Sequence, residues 1–185
     1  MFNLPNQITI ARLVVSLVVF ILIPLHWFRT ALAFFIVAAG TDWADGYLAR
    51  KYGLVTQLGR ILDPFADKIL ICGVFIFLVA EPQSRIAAWM AVLVVGRELL
   101  VTALRSFLEQ QGADFSASMS GKLKMVFQCG AAVLSLYLLS RPVGEVPDWL
   151  PVATSITVWL AVISTIYSGI GYIFSAIAIF RRGTA

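Results

Sequence analysis

The sequence predicts an all-α integral membrane protein with six transmembrane helices. Three observations predict this fold: the composition, the lengths of the apolar runs and the distribution of positive charge. Of the 185 residues, 60% are hydrophobic and only 13% are charged, whereas soluble domains carry roughly 25% charged residues. The formal net charge of +4 in so apolar a chain indicates contact with anionic lipid head groups and excludes nucleic acid as the expected partner. One His and two Cys residues in apolar runs exclude a multi-histidine metal site and a disulfide framework.

The charge-free runs give the number of helices. They cover residues 13–28, 30–41, 69–80, 86–96, 125–140 and 149–180. A membrane span needs about 20 apolar residues, so the second, third and fourth runs are long enough only with their charged flanks. Six charged residues are therefore expected in or beside helix ends at membrane depth: Asp42, Asp45, Asp63, Asp67, Arg97 and Glu98. The last run is interpreted as one helix, and residues 1–185 as a single membrane-embedded domain.

The positive charges give the orientation. With the N-terminus inside, the inner segments hold eleven of the 14 Lys and Arg residues, and the outer ones hold Arg29, Arg85 and Arg141. This asymmetry predicts that both termini are cytoplasmic and that the protein is a multi-pass protein of the inner or plasma membrane. No small-residue cleavage site follows the first run, so we expect a retained helix. Residues 2–6 before it are expected to form a short interfacial segment.

Four of the ten acidic residues lie within residues 42–67, on two predicted neighbouring helices. Asp42 and Asp45 are three residues apart, and Asp63 and Asp67 are four apart, so each pair shares one helix face. A short polar loop joins these helices, so their inner ends are expected to meet. Converging carboxylates repel one another unless cations bind between them. Oxygen ligands alone favour Mg²⁺, Mn²⁺ or Ca²⁺, and four carboxylates can hold two ions, as phosphoryl chemistry often requires.

The residues around the aspartates fit a phosphate ligand. Gly46 and Gly59 remove side chains where a backbone must approach a ligand closely. Arg50 and Arg60 offer guanidinium groups for phosphate oxygens. Ala49 keeps the space beside Arg50 small.

The complete pattern D-x2-D-G-x2-A-R-x8-G-x3-D-x3-D is present without a departure and resembles the signature of the CDP-alcohol phosphatidyltransferases. Its eight fixed residues are Asp42, Asp45, Gly46, Ala49, Arg50, Gly59, Asp63 and Asp67. Members of this family move a phosphatidyl group from a CDP-linked lipid such as CDP-diacylglycerol to an alcohol and release CMP. The resemblance also implies a homodimer, and the family agrees with the six helices counted above.

The resemblance implies a role for each matched residue. Asp42, Asp45 and Asp63 are similar to the family's metal ligands, for Mg²⁺ or Mn²⁺. Asp67 is similar to the proposed general base, which also has access to the metal. Gly46, Ala49 and Gly59 are similar to the wall of the cytidine pocket, and Arg50 to a ligand of the nucleotide phosphates. Asn6 and Thr9 are added as weaker contacts of the CDP-lipid, with helix capping as their alternative role.

The basic residues further along the chain indicate the acceptor. Arg97 and Arg105 lie about two turns apart on the fourth helix, and Lys122 and Lys124 open the fifth. With Arg60, they are candidates for binding an acceptor phosphate. A neutral alcohol needs no such cluster, whereas sn-glycerol 3-phosphate does. The same segments resemble the branch of the family that uses this acceptor.

Two alternatives remain open. First, the same chemistry could act on another acceptor: inositol phosphate, serine or a phosphatidyl lipid. The charged residues that indicate the acceptor also have structural alternatives, since Arg97 and Glu98 could pair with other groups only to orient the fourth helix, and Lys122 and Lys124 could be membrane anchors. Second, the aspartates could form the conduction site of a divalent-cation transporter. Against this, the aspartates lie at one face of the membrane. Of the acids outside the motif, only Glu98 is expected near membrane depth, so no row of acids continues a conduction path.

Overall fold

The described residues form six α-helices. The computed structural model describes the backbone of residues 4–52, 57–110, 119–142 and 144–183, and side chains within 10–41, 65–66, 68–107, 121, 123–142, 144–174 and 176–177. The helices are α1 Leu4–Leu22, α2 Phe28–Tyr52, α3 Gln57–Leu78, α4 Ala88–Gln110, α5 Met119–Leu139 and α6 Trp149–Gly183. One 3-10 turn, Pro82–Ser84, lies between α3 and α4. No strand occurs in the described backbone, which confirms the prediction of an all-helical fold with six helices.

The last apolar run is a single helix, as predicted. Within α6, the segment Trp149–Phe174 is the one stretch of the described residues that is long and apolar enough by itself to cross a membrane. Four shorter apolar segments of 10–17 residues lie in other helices: Ile10–Leu22, Phe28–Thr41, Lys68–Leu78 and Leu123–Leu139. The helices that contain them extend further, through polar and charged residues.

The N-terminal segment differs from its prediction. Leu4, Pro5 and Asn6 belong to the first turns of α1 and do not form a separate interfacial segment. A proline is compatible with the first turn of a helix because the N–H group that it lacks would have no partner there. The first helix also ends earlier than its apolar run, at Leu22. The chain then turns through His26, whose φ of 58° lies in the left-handed region.

The distribution of polarity in the bundle is that of a membrane protein. Large apolar side chains are exposed along the outer helix faces, as with Leu17 and Ile21 on α1 and Val92 on α4. The buried residues include several charged or polar ones: Arg12, Ser16, Ser84, Glu98, Lys124, Gln128, Ser135, Thr154, Thr165 and Ser168. In water this arrangement would be unfavourable. In a bilayer it is expected, because polar groups inside a membrane face the bundle interior.

The core joins all six helices. α1 packs against α2 and α3, α5 packs against α2 and α6, and α4 packs against α3 and α6. Fully buried residues from different helices meet in one cluster, including Val19 of α1, Phe35 of α2, Phe75 of α3, Val94 of α4 and Leu136 of α5. This packing fixes which face of each helix points into the bundle.

The three connections α1–α2, α3–α4 and α5–α6 meet at one end of the bundle. Arg29 Nε donates a hydrogen bond to the carbonyl oxygen of Ser140 at 3.3 Å. Ser135 Oγ donates to the carbonyl oxygen of Ser84 at 2.8 Å. His26 Nδ1 lies 3.4 Å from Glu81 Oε1. This end, called the outer end below, carries the three Arg residues that the charge distribution assigned to the outer side.

The crossing of α1 and α3 depends on Gly73. A Cβ atom at this position would lie 2.1 Å from Cζ of Phe20, whose ring stacks on Phe77 with centroids 5.4 Å apart. We expect Gly73→Ala to lower the free energy of unfolding in detergent by about 1–3 kcal/mol, because the ring must move out of its packed position.

Gly96→Ala is the matched control. It is another glycine inside a helix, and a Cβ there meets no atom within 4 Å. Its expected effect is neutral or stabilising by up to about 1 kcal/mol, because alanine has the higher helix propensity. Equal stability of the two variants would contradict the proposed packing.

Candidate active site

Three charged side chains meet inside the bundle and form what we call the ionic cluster: Arg97 and Glu98 of α4 and Lys124 of α5. Arg97 Nη1 lies 3.2 Å from Glu98 Oε1, and Lys124 Nζ donates a short hydrogen bond to the same carboxylate oxygen. The side chains of Arg97, Glu98 and Lys124 are only 9%, 5% and 9% exposed. One carboxylate oxygen therefore joins two cations that come from different helices.

Arg97 is also held by α6. Its Nη2 donates a hydrogen bond of 2.5 Å to Oγ of Ser168, and its guanidinium carbon lies 5.3 Å from the centre of the Tyr172 ring. Its Nε is buried and has no hydrogen-bond partner among the described residues. The guanidinium group thus keeps one N–H donor unused at a buried position, where an unmade hydrogen bond costs about 1–3 kcal/mol.

The charges of the ionic cluster do not balance. Among the described side chains, two cations share one anion, which leaves one formal positive charge in excess. An uncompensated charge inside an apolar bundle is unfavourable unless a counter-ion or a polar ligand reaches it. The excess positive charge and the unused N–H donor of Arg97 are both properties of a site for an anion.

The four aspartates of the sequence motif lie on α2 and α3. Asp42 and Asp45 are in the inner part of α2, and Asp63 and Asp67 are in the first half of α3. All four lie roughly two to three turns from the inner ends of their helices. Their side chains are outside the described set, as are those of Gly46, Ala49, Arg50, Gly59 and Arg60. Among the described side chains, no three His, Cys, Asp or Glu residues come together as metal ligands do.

The remaining predicted residues are distributed over three helices. Asn6 and Thr9 lie in α1 and Lys122 in α5, with side chains that the structure does not describe. Arg105 is exposed on α4, two turns beyond Arg97. Of the five predicted acceptor-phosphate ligands, the structure therefore brings Arg97 and Lys124 together, through Glu98.

Sequence reasoning missed the contribution of α6. Ser168 and Tyr172 carry no motif, and Thr165, whose Oγ1 accepts a hydrogen bond of 2.9 Å from Gln128 Nε2, was not singled out either. Thr154, Thr165, Ser168 and Tyr172 nevertheless recur at helical spacing on one face of an otherwise apolar helix. That periodicity is the signal that could have identified the inward face.

With this geometry described, comparison with known proteins identifies the class. Residues 2–167 match the CDP-alcohol phosphatidyltransferase family. The match covers most of the chain and includes the aspartate motif, α4 and α5. The chain belongs to this family.

Individual relatives align with this chain over nearly their whole length. The chain is 40% identical to a CDP-diacylglycerol–glycerol-3-phosphate 3-phosphatidyltransferase of Bacillus subtilis, with 93% of this chain and 94% of the relative covered. It is 37% identical to the protein of that name from Rickettsia typhi, covering 93% and 96%. It is 33% identical to the one from Escherichia coli K12, covering 95% of each chain.

The ionic cluster should be energetically coupled. We expect Glu98→Gln to lower the free energy of unfolding by about 3–5 kcal/mol, because it leaves two buried cations without their shared carboxylate. Lys124→Gln should lower it by less, because Glu98 keeps its contact with Arg97. The double variant should lose less than the sum, with a coupling energy of about 1–3 kcal/mol. Unfolding by SDS in mixed micelles measures all three variants.

The pair at the outer end provides the control. Glu81→Gln removes the carboxylate beside His26, and the two side chains are 16% and 68% exposed. A pair with one solvent-exposed partner contributes at most about 1 kcal/mol. Strictly additive losses at Glu98 and Lys124 would show that the two side chains do not interact in the folded protein.

Proposed function

We propose that this protein transfers the phosphatidyl group of CDP-diacylglycerol to sn-glycerol 3-phosphate and releases CMP. Family membership supports the transfer chemistry, and the names of the relatives support the donor and the acceptor. The observation that carries the choice of an anionic acceptor is the ionic cluster, whose surplus positive charge and unused Arg97 donor suit a phosphate group. A neutral alcohol could accept the hydrogen bond of Arg97 but would leave the surplus positive charge in place.

The reaction assigns separate tasks to the two parts of the bundle. Asp67 accepts the proton of the attacking glycerol hydroxyl, which requires the carboxylate to lie within hydrogen-bond reach of that hydroxyl. The hydroxyl oxygen then bonds to the phosphorus of the phosphatidyl group, and the bond from that phosphorus to the CMP oxygen breaks. Arg50 binds the nucleotide phosphates, and Gly46, Ala49 and Gly59 admit the cytidine. Asn6 and Thr9 add contacts to the CDP-lipid.

The aspartates fit a hard divalent cation. Asp42, Asp45, Asp63 and Asp67 offer only carboxylate oxygens, the donors that Mg²⁺ and Mn²⁺ prefer. One or two such ions would neutralise the diphosphate when bound. The residues of this chain then orient the reacting groups: the motif holds the nucleotide, while Arg97, Arg105, Lys122, Lys124 and Arg60 hold the acceptor phosphate.

The membrane arrangement follows from the same features. We propose a multi-pass protein of the inner or plasma membrane with both termini and the active site on the cytoplasmic side. The three outer Arg residues support this orientation, because their connections meet at one end of the bundle, opposite the motif. The lipid tails of the substrate stay in the bilayer, and the polar acceptor enters from water. A homodimer is part of the proposal through the family resemblance.

The transfer reaction is tested by the release of CMP. Purified protein in detergent with CDP-diacylglycerol and Mg²⁺ should release CMP when sn-glycerol 3-phosphate is added. Asp67→Asn should lower kcat by at least about 100-fold, the usual contribution of a general base. EDTA should abolish turnover, and added Mg²⁺ should restore it.

Glu81→Gln makes the same carboxylate-to-amide change at the outer end and should keep full activity. Turnover with inositol phosphate, serine or phosphatidylglycerol in place of sn-glycerol 3-phosphate would retain the family chemistry and overturn the acceptor. Absence of CMP release with every acceptor, from folded protein, would overturn the transferase assignment.

The acceptor contacts are tested through KM. Lys122→Ala and Arg105→Ala should each raise the KM for sn-glycerol 3-phosphate by about tenfold, which corresponds to about 1.4 kcal/mol of a charge-assisted contact. The KM for CDP-diacylglycerol should stay unchanged. Arg29→Ala, which removes a cation at the outer end, is the control, and an equal rise in both KM values would contradict the assignment.

A further inference from the structure

We propose that Ser168, Gly169 and Tyr172 of α6 form a socket that positions Arg97 for the phosphate of the acceptor. The three are called the α6 socket. This inference rests on the proposed function, since it concerns how that same site binds its anionic substrate. It adds positioning residues on a helix to which the sequence assigned no functional side chain.

Three side chains contact the guanidinium group of Arg97. Glu98 accepts a hydrogen bond from Nη1 at 3.2 Å, Ser168 accepts one from Nη2 at 2.5 Å, and Tyr172 lies against the group through its ring. Ser168 is fully buried and Tyr172 is 8% exposed. The hydrogen bonds to Glu98 and Ser168 orient the plane of the guanidinium group. The long, flexible side chain of Arg97 thereby loses its rotational freedom before the ligand arrives.

The second argument is the space beside Arg97. Gly169 is buried, and a Cβ atom there would lie 3.3 Å from Cγ of Arg97. The aliphatic part of the Arg97 side chain therefore passes directly over the backbone of α6. A larger residue at position 169 would displace the arginine by a few tenths of an ångström or more.

The third argument is the donor that the socket leaves unused. Nη2 of Arg97 donates to Ser168, Nη1 donates to Glu98, and the face of the guanidinium group lies against Tyr172. The buried Nε has no partner among the residues that the structure describes. A purely structural arginine would be expected to use all its buried donors. An oxygen of a phosphate group is a strong acceptor for such an N–H, so the arrangement fits a guanidinium that is held ready for an anion.

The location agrees with access from the inner side. Arg97 lies inside α4, and the helix continues roughly three turns beyond it toward its inner end. Lys124 lies about one and a half turns from the start of α5. An acceptor that enters from the cytoplasm would reach Lys122 and Arg105 first and the ionic cluster afterwards.

The test compares acceptor and donor kinetics in socket variants. We expect Ser168→Ala to raise the KM for sn-glycerol 3-phosphate about fivefold, the effect of losing roughly one net hydrogen bond, with the KM for CDP-diacylglycerol and kcat nearly unchanged. Tyr172→Leu and Gly169→Ala should act in the same direction.

Ser164→Ala is the matched control on the same helix. Ser164 Oγ donates to the carbonyl oxygen of Ala161 within α6, so its loss should leave both KM values unchanged. A KM for sn-glycerol 3-phosphate that is unaffected in Ser168→Ala and Tyr172→Leu, or donor and acceptor KM values that rise equally, would overturn the inference while the proposed function stands.

A binding measurement separates failure of the socket from failure of the proposed function. Inorganic phosphate should raise the Tm of the wild-type protein, since binding to the folded state stabilises it, and the rise should be smaller in Ser168→Ala than in Ser164→Ala. If the wild type releases no CMP with any acceptor but shows this difference, the socket stands and the function falls. If phosphate leaves the wild-type Tm unchanged, the socket is refuted.

Discussion

The bundle is constrained above all by the burial of two cations around one carboxylate. Removing an ion from water costs several kcal/mol even after relaxation of the protein, so Arg97 and Lys124 can be buried only where Glu98 contacts both. That condition fixes the rotation of α4 and α5 about their own axes. It also fixes α6, because the same guanidinium group contacts Ser168 and Tyr172. Replacing such a cluster by apolar residues is often neutral or stabilising, so its presence indicates a role beyond stability.

Polar contacts connect the helices both at the outer end and deeper in the bundle, which is typical of a protein surrounded by lipid. Lipid tails are as apolar as leucine, so helices associate through close packing and hydrogen bonds. At the outer end, Ser135 of α5 donates to the backbone of Ser84, and Arg29 donates to Ser140. Deeper in the bundle, Gln128 of α5 donates to Thr165 of α6. The outer end is thus joined largely through hydrogen bonds to backbone carbonyls, whereas the ionic cluster lies deeper in the bundle. A rigid scaffold on one side supports the precise placement of reactive groups on the other.

The sequence predicts the helices better than the contacts between them. The six helices follow from apolar run lengths, because a bilayer sets a minimum span. The prediction that residues 4–6 precede the first helix was wrong because Pro5 is compatible with a first helical turn. The charges of Arg97 and Lys124 led to their prediction as phosphate ligands, but their contact with a shared partner, Glu98, depends on the rotation of two helices. Ser168 could not be assigned in advance, since a serine in a helix can equally bond its own backbone, as Ser164 does.

The positions of the acidic and basic residues explain why an anionic acceptor would need the ionic cluster in the proposed reaction. α2 and α3 carry the four aspartates, whereas α4 and α5 bring Arg97, Arg105, Lys122 and Lys124 to the inner half. A phosphate approaching Asp67 is repelled by the carboxylates, and this repulsion is strongest where water is excluded. Metal ions would offset part of it. In the proposed reaction, Arg97 and Lys124 would offset the remainder on the side from which the acceptor enters, so that the acceptor hydroxyl could reach Asp67. The proposed reaction therefore needs cations beside the acceptor phosphate as well as carboxylates at the motif, and α4 and α5 carry such cations in addition to Arg50, Arg60 and Lys68 of α2 and α3.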